Sequence, residues 1–266
     1  SLSAHQPAAD FLVSAVELLG DDVEKVFRND RGLAIQLHLL LASSQLKAGR
    51  IEESRQSAQD VISHALSRES RLAAQLIVIK SYSATNQLDK QYGYAIEILN
   101  SIGHGIGDCK IRYGRIMKKL MSYTDEEVLA FPTISDESIE FAVEVICELM
   151  QSSIHLDRGK WFCMGLVPLA SMTMEHGRGR FTPLILVFLA QERMAAQNDL
   201  KVGLRYMEQA LRMEMDDEVK CRVLLHTCMG LGCIQPASKC MYLALDGFEL
   251  GMAVGDVASA FNAAEW

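Results

Sequence analysis

Gly49-Arg50-Ile51-Glu52-Glu53-Ser54-Arg55-Gln56-Ser57-Ala58 returns, 37 residues later, as Asn86-Gln87-Leu88-Asp89-Lys90-Gln91-Tyr92-Gly93-Tyr94-Ala95. Each copy opens on a turn residue and then places an apolar residue (Ile51, Leu88) and an alanine (Ala58, Ala95) at matching positions. Helical periodicity flanks both turns. Leu33, Leu37, Leu40 and Leu41 lie ahead of Gly49, in a helix that Asp30 can cap and that runs to Ala48. Ile51, Ser54, Ala58, Val61 and Ile62 follow it. Leu72, Leu76, Ile79 and Tyr82 precede the second turn, and Leu88, Ala95, Ile98 and Leu99 follow it. A preceding helix carries Ala8, Leu12, Ala15 and Leu19 on one face, and Gly20 can end it in a left-handed conformation.

Two helices joined by a short turn cannot bury both apolar faces, so neighbouring pairs must stack, and alanine at the crossing lets the backbones approach. Tetratricopeptide repeats follow this plan with a period of about 34 residues. The offset here is slightly longer and the large aromatic of the first helix is missing, which marks the repeats as divergent. The expected fold is all-α: a tetratricopeptide-like α-α superhelix (solenoid) of stacked antiparallel helix pairs, with about fourteen helices and no strand.

The rest of the chain supports helices of the same kind. Thr124-Asp-Glu-Glu127 reads as a capping box that opens a short helix closed before Pro132. Ser135 or Asp136 begins a long helix with Ile139, Val143, Ile146, Leu149 and Met150 on one side. Gly159 to Glu175 is a helix with Pro168 inside it, where a kink is expected. His176 to Gly179 is a loop, and Thr182-Pro183 reads as a cap followed by proline at the first helical position. That helix ends near Asn198-Asp199, after which Leu200, Met207, Ala210 and Leu211 follow. The last helices are Asp216 to Gly230, Ala237 to Val254 and Val257 onward, with a turn at Gly255-Asp256. The expected organisation is repeats over 1–103, an irregular connection with short helices over 104–135, and a second set of helix pairs over 136–266. The chain starts without Met and stops in an apolar segment, so it reads as a piece of something longer, with Phe261 and Trp266 exposed or poorly packed.

Composition narrows the function. A net charge of -8 repels phosphate backbones, which disfavours nucleic acid. The longest apolar run, Leu184 to Ala190, is far short of the roughly 20 residues that span a bilayer. The polar N-terminus shows no signal peptide. Seven cysteines, an odd number set mostly in apolar stretches, read as reduced thiols of a cytoplasmic protein.

Several constellations invite chemical readings. Cys221, His226, Cys228, Cys233 and Cys240 are candidate zinc ligands, but Cys221 and Cys228 stand two helical turns apart and no Cys-x-x-Cys occurs, so no metal is expected. Gly103-His-Gly-Ile-Gly107 resembles a phosphate loop only superficially. No strand precedes it, and Ile111 stands after Lys110 where a magnesium-holding hydroxyl is needed, so neither ATP binding nor any cofactor is expected. His38, His64, His104, His155 and His226 sit on separate elements and suit core or surface roles. Met172, Met174, Met207, Met213 and Met215 suit packing better than an adaptable surface. Lys118-Lys119 reads as a solvated face.

Three stretches carry a family resemblance. Asp10 to Asp21, with the phrase Val16-Glu-Leu-Leu-Gly-Asp21, is similar to the helix ending just after the ATPase module in very large sensory proteins. Leu129-Ala-Phe-Pro-Thr-Ile-Ser-Asp136 resembles their leucine-proline and threonine-aspartate segment, departing at Phe131 and Ser135. Gly251 to Ala260 resembles their glycine-aspartate turn. Glu175 to Gly179 departs further, with His176 where a tyrosine is usual. In that family a protein-kinase-like domain, a P-loop ATPase, this helical region, a sensor domain and a histidine kinase or nucleotide cyclase share one polypeptide. The resemblance implies a non-catalytic helical-repeat linker or regulatory module of a multidomain signalling ATPase. Its partners would be proteins: other domains of the same polypeptide, a signalling partner, or a second copy. No catalytic residue carries over, because the ATPase and kinase motifs of such proteins lie outside this region. A free-standing tetratricopeptide adaptor binding peptide tails is the alternative, but no Lys/Asn/Arg clamp recurs at repeat spacing. An all-helical enzyme needs convergent polar residues that the sequence does not display.

Overall fold

A computed structural model describes residues 2–20, 23–106, 110–152, 158–232 and 234–264. Among them the chain is all-helical: α1 (Leu2–Glu17), α2 (Val23–Asn29), α3 (Arg31–Lys47), α4 (Ile51–His64), α5 (Arg68–Ala84), α6 (Leu88–Ser101), α7 (Lys110–Met121), α8 (Asp125–Leu129), α9 (Glu137–Ser152), α10 (Arg158–His176), α11 (Thr182–Gln197), α12 (Leu200–Arg212), α13 (Asp217–Gly232), α14 (Ala237–Val254) and α15 (Val257–Ala264). That is fifteen helices against the expected fourteen or so. The short α2, between Gly20 and Asp30, has no counterpart among the helices expected from periodicity. The chain divides into two compact units, Ser1–Ile98 and Leu99–Trp266.

In the first unit α3 packs on α1, α2, α4 and α5, and α4 packs on α5. The turns that open the two copies have one geometry. Gly49 and Asn86 both take positive φ, at 79° and 55°. At the first, the Gly49 N–H donates to Leu46 and the Arg50 N–H to Gln45. At the second, the Asn86 N–H donates to Ser83 and the Gln87 N–H to Tyr82. Both are Schellman closures, which satisfy the last helical carbonyls. Gly103 closes α6 the same way, with His104 N–H on the Leu99 carbonyl. Ala58 and Ala95 are fully buried. Asp30 caps α3 as expected, accepting from the Leu33 N–H at 3.1 Å.

The leucines that mark α3 in the sequence divide between inside and outside. Leu33 and Leu40 are exposed, while Ala34, Ile35, His38, Leu41, Ala42 and Gln45 are buried. The helix carries leucine at several angles around its axis, so leucine spacing alone does not choose the face. α4 seats on this side, where Ser57 donates to Gln45 Oε1 at 2.9 Å and Ser54 donates to the Ala42 carbonyl at 2.6 Å. The Phe27 ring of α2 lies between His38, at 4.8 Å, and His64, at 4.2 Å. On α1, Ala9 is buried while Phe11 and Leu18 are exposed.

In the second unit the Thr124–Glu127 capping box is complete. Thr124 Oγ1 accepts from the Glu127 N–H, and Glu127 returns a carboxylate to the Thr124 N–H at 2.7 Å. Asp136 accepts from the Ser138 N–H at the start of α9. Pro168 lies inside α10, where its ring leaves the carbonyl four residues back without a helical donor. Gly177 has φ of 107°, and a β-carbon there would fall 1.9 Å from the Pro132 carbonyl oxygen, because Arg178 pairs with 132–134 in an isolated bridge. Thr182 is not the cap of α11. It lies in the first helical turn, and its hydroxyl accepts from the Gly179 N–H at 2.9 Å, holding the loop instead. Asn198 closes α11 at φ 51°, and Asp199 caps α12 through the Val202 N–H. Met207 and Ala210 are buried, whereas Leu200 and Leu211 are each 41% exposed. α13 packs against α11, α12, α14 and α15, and its residues 221–228 are all buried.

Candidate functional site

Among the described residues, a dense polar network is built on α13. Arg222 interrupts a buried apolar face, and its side chain is 5% exposed. A buried guanidinium needs anionic partners, because desolvation of an isolated charge costs far more than a fold can spare. Three are in reach. Glu148 of α9 accepts from Nη1 at 2.5 Å, Asp256 accepts from Nε at 2.7 Å, and Glu218, one turn earlier on α13, lies 3.5 Å from Nη2. Asp256 also caps α15, accepting from the Ser259 N–H at 3.1 Å and from its hydroxyl at 2.9 Å. One arginine therefore holds α9, α13 and the start of α15.

Glu218 extends the network. It also pairs with Arg180, in the loop before α11, at 2.8 Å. Arg180 also binds Asp216 at 2.6 Å, and its backbone N–H donates to Glu140 of α9 at 3.2 Å. Burial alone would raise the Asp256 carboxyl, but the adjacent Arg222 outweighs it and holds the pKa below the ordinary value. The hydrogen bond from Arg180 likewise lowers Asp216. Carboxylates held in this way are ionised at neutral pH, and their charges offset the guanidinium groups they face.

Next to this network, His226 is fully buried, and its ring stands edge-on to Phe188 at 4.9 Å. Among the described residues neither ring nitrogen has a hydrogen-bond partner. Burial, and secondarily Arg222, push its pKa down to about 3, so the ring is neutral. Cys221 donates to the Glu218 carbonyl and is pushed up to about 12, chiefly by burial. Cys228 approaches the Cys240 carbonyl at 3.6 Å in a small cluster with Ala244, Leu231 and Leu243. Cys233 lies outside the described residues. Among the described residues no group of three or more His, Cys, Asp or Glu side chains is placed to hold a metal ion.

The remaining candidates are dispersed. His38 and His64 face backbone carbonyls of their own helices, Ala34 and Asp60. His104 is half-buried in the turn after α6, and His155 lies outside the described residues. Gly103 serves the closure of α6, and Gly107 lies outside the described residues. Met207 is buried, while Met172, Met174, Met213 and Met215 are half-buried. Lys118 and Lys119 are exposed, as is Phe261; Trp266 lies outside the described residues. No described helix is long and apolar enough to cross a membrane.

Arg222 and Glu148 are absent from the candidates that sequence motifs suggest, although a signal exists. Each is a lone charge in an apolar helical run, Cys221-Arg-Val-Leu-Leu225 and Val145-Ile-Cys-Glu-Leu-Met150. Two such charges of opposite sign call for each other. No family model, no curated protein and no solved structure matches the chain.

Proposed function

We propose that this chain is a non-catalytic helical-repeat module of a multidomain, ATPase-containing signalling protein, and that it works by protein contacts within that polypeptide or with a partner. The recurrence of one turn-and-crossing unit carries the reading: Gly49 with Ala58 and Asn86 with Ala95, at one offset and with one hydrogen-bond closure. A tetratricopeptide-like stacking of the pairs is the arrangement that such units favour, since each exposes an apolar face that only a neighbour covers. The likeness of Val16–Asp21, Leu129–Asp136 and Gly251–Ala260 to the helical region of large sensory ATPases supports the multidomain context.

The test uses the parent protein. Arg222→Met loosens the module without touching any ATPase or output domain. It should uncouple stimulus from output while leaving the isolated activities of the other domains intact. Unchanged coupling in a variant whose module is measurably destabilised would remove the regulatory role.

A further inference from the structure

We infer that the exposed side of α7 is a docking face for an acidic protein segment. The inference rests on the reading of this chain as a protein-contact module and names one surface and the chemistry of its partner. Five of the twelve residues of α7 are basic (Lys110, Arg112, Arg115, Lys118 and Lys119) and none is acidic. The chain as a whole has the opposite balance, with 34 acidic residues against 26 basic. Several arginines elsewhere are matched within their own helices or at their edges: Arg28 with Glu24, Arg50 with Glu53, Arg55 with Glu52, and Arg212 with Glu208. On α7 the exposed Arg115, Lys118 and Lys119 have no ion-pair partner among the described residues.

Helix-end electrostatics explain only part of this. Lys118 and Lys119 lie in the last turn, where cations favour the negative end of the helix dipole, but that effect fades within one turn and does not reach Arg115. Positions 115, 118 and 119 are neighbours on one face. Leu120 is buried, and α7 packs on α10, so the basic face is held outward on an anchored helix.

The same geometry selects the partner. A basic amphipathic helix enters a membrane surface through its apolar side, and here Leu120 on that side is already closed off by the fold. Nucleic acid binding strengthens with each phosphate neutralised over an extended track, and Arg115, Lys118 and Lys119 span little more than one helical turn, too short a stripe to follow a backbone. A compact segment with carboxylates at helical spacing meets the three cations and little else.

Fluorescence anisotropy with the full chain tests this. The probe is a labelled peptide of repeated Glu-Ala-Ala-Glu units, and its Gln-for-Glu counterpart is the control. A labelled oligothymidylate and vesicles of phosphatidylcholine with phosphatidylserine form the other arms. The Glu peptide should bind saturably and weaken as salt passes about 0.15 M, where the screening length falls to about 8 Å. The triple change Arg115→Glu, Lys118→Glu, Lys119→Glu should weaken it by about tenfold or more, while Lys90→Glu leaves it unchanged. All four positions are exposed, and circular dichroism checks that the fold persists. Absence of saturable binding, equal binding of the Gln peptide, or an unaffected triple variant would overturn the inference. Tighter binding of the oligothymidylate or the vesicles would overturn it too, by assigning the face to phosphate. Any of these failures concerns α7 alone, because the coupling experiment with Arg222→Met does not involve this face.

Discussion

Arg222 on α13 donates to Glu148 on α9 at 2.5 Å, with the two side chains 5% and 6% exposed. Removing one partner strands the other charge in the interior, which costs about 3–5 kcal/mol. Arg222→Met should therefore destabilise the chain by about that amount in urea denaturation. Glu148→Gln should cost less, because Asp256 and Glu218 still hold the guanidinium. The double variant should be more stable than the sum of the two predicts, with a coupling of about 1–3 kcal/mol. Strict additivity would mean that the pair does not act as a unit.

His226 predicts an acid sensitivity of definite sign. Its folded pKa, about 3, lies below the unfolded value of about 6.5. Between those values the unfolded chain takes up a proton that the folded chain refuses. The stability this group contributes is complete above pH about 6.5 and is lost as pH falls, by about 1 kcal/mol per unit below 6. His226→Leu should flatten that slope. At neutral pH it should be neutral or stabilising by about 1 kcal/mol, since it removes two buried nitrogens without partners. Parallel slopes for the two proteins between pH 7.5 and 4.5 would refute the assignment.

Gly177 and Gly93 should respond to alanine in opposite directions. At Gly177 the new β-carbon would overlap the Pro132 backbone and φ is positive, so a loss of more than about 2 kcal/mol is expected. Gly93 lies exposed inside α6 with nothing within 4 Å of an added methyl, so Gly93→Ala should gain about 0.5–1 kcal/mol. Thermal melts of the two variants, shifted to opposite sides of the parent, are the expected result.

The interior thiols should be inert in the folded chain. Burial raises Cys147 well above its ordinary value and Cys221 to about 12, and Cys228 is raised as well. The thiolate is the reactive form, so labelling of these three by an aromatic disulfide reagent at neutral pH should be slow and should become fast in denaturant. Peptide mapping of the label distinguishes them from the other cysteines. Rapid native labelling of Cys147 or Cys221 would contradict their burial.

Local chemistry makes much of this protein legible in the sequence by itself. Turn residues and caps act through bonds a few residues long, so Gly49, Asn86, Asp30, Thr124 with Glu127, and Gly255 can be placed from neighbours alone. Alanine at 58 and 95 is legible for a related reason, because close helix crossings demand small side chains wherever the crossing falls. Tertiary structure decided which side of each helix faces inward when apolar residues surround it. In α3 it turned Leu33 and Leu40 out and His38 and Gln45 in, with Gln45 meeting Ser57 of α4 and His38 meeting the Phe27 ring. It also decided the role of Thr182, which answers a loop rather than a helix end, and the meeting of Arg222 with Glu148, 74 residues apart. Helix periodicity has no information about which charge will meet which across such a distance. Only packing places them, and only desolvation makes the choice of partner matter.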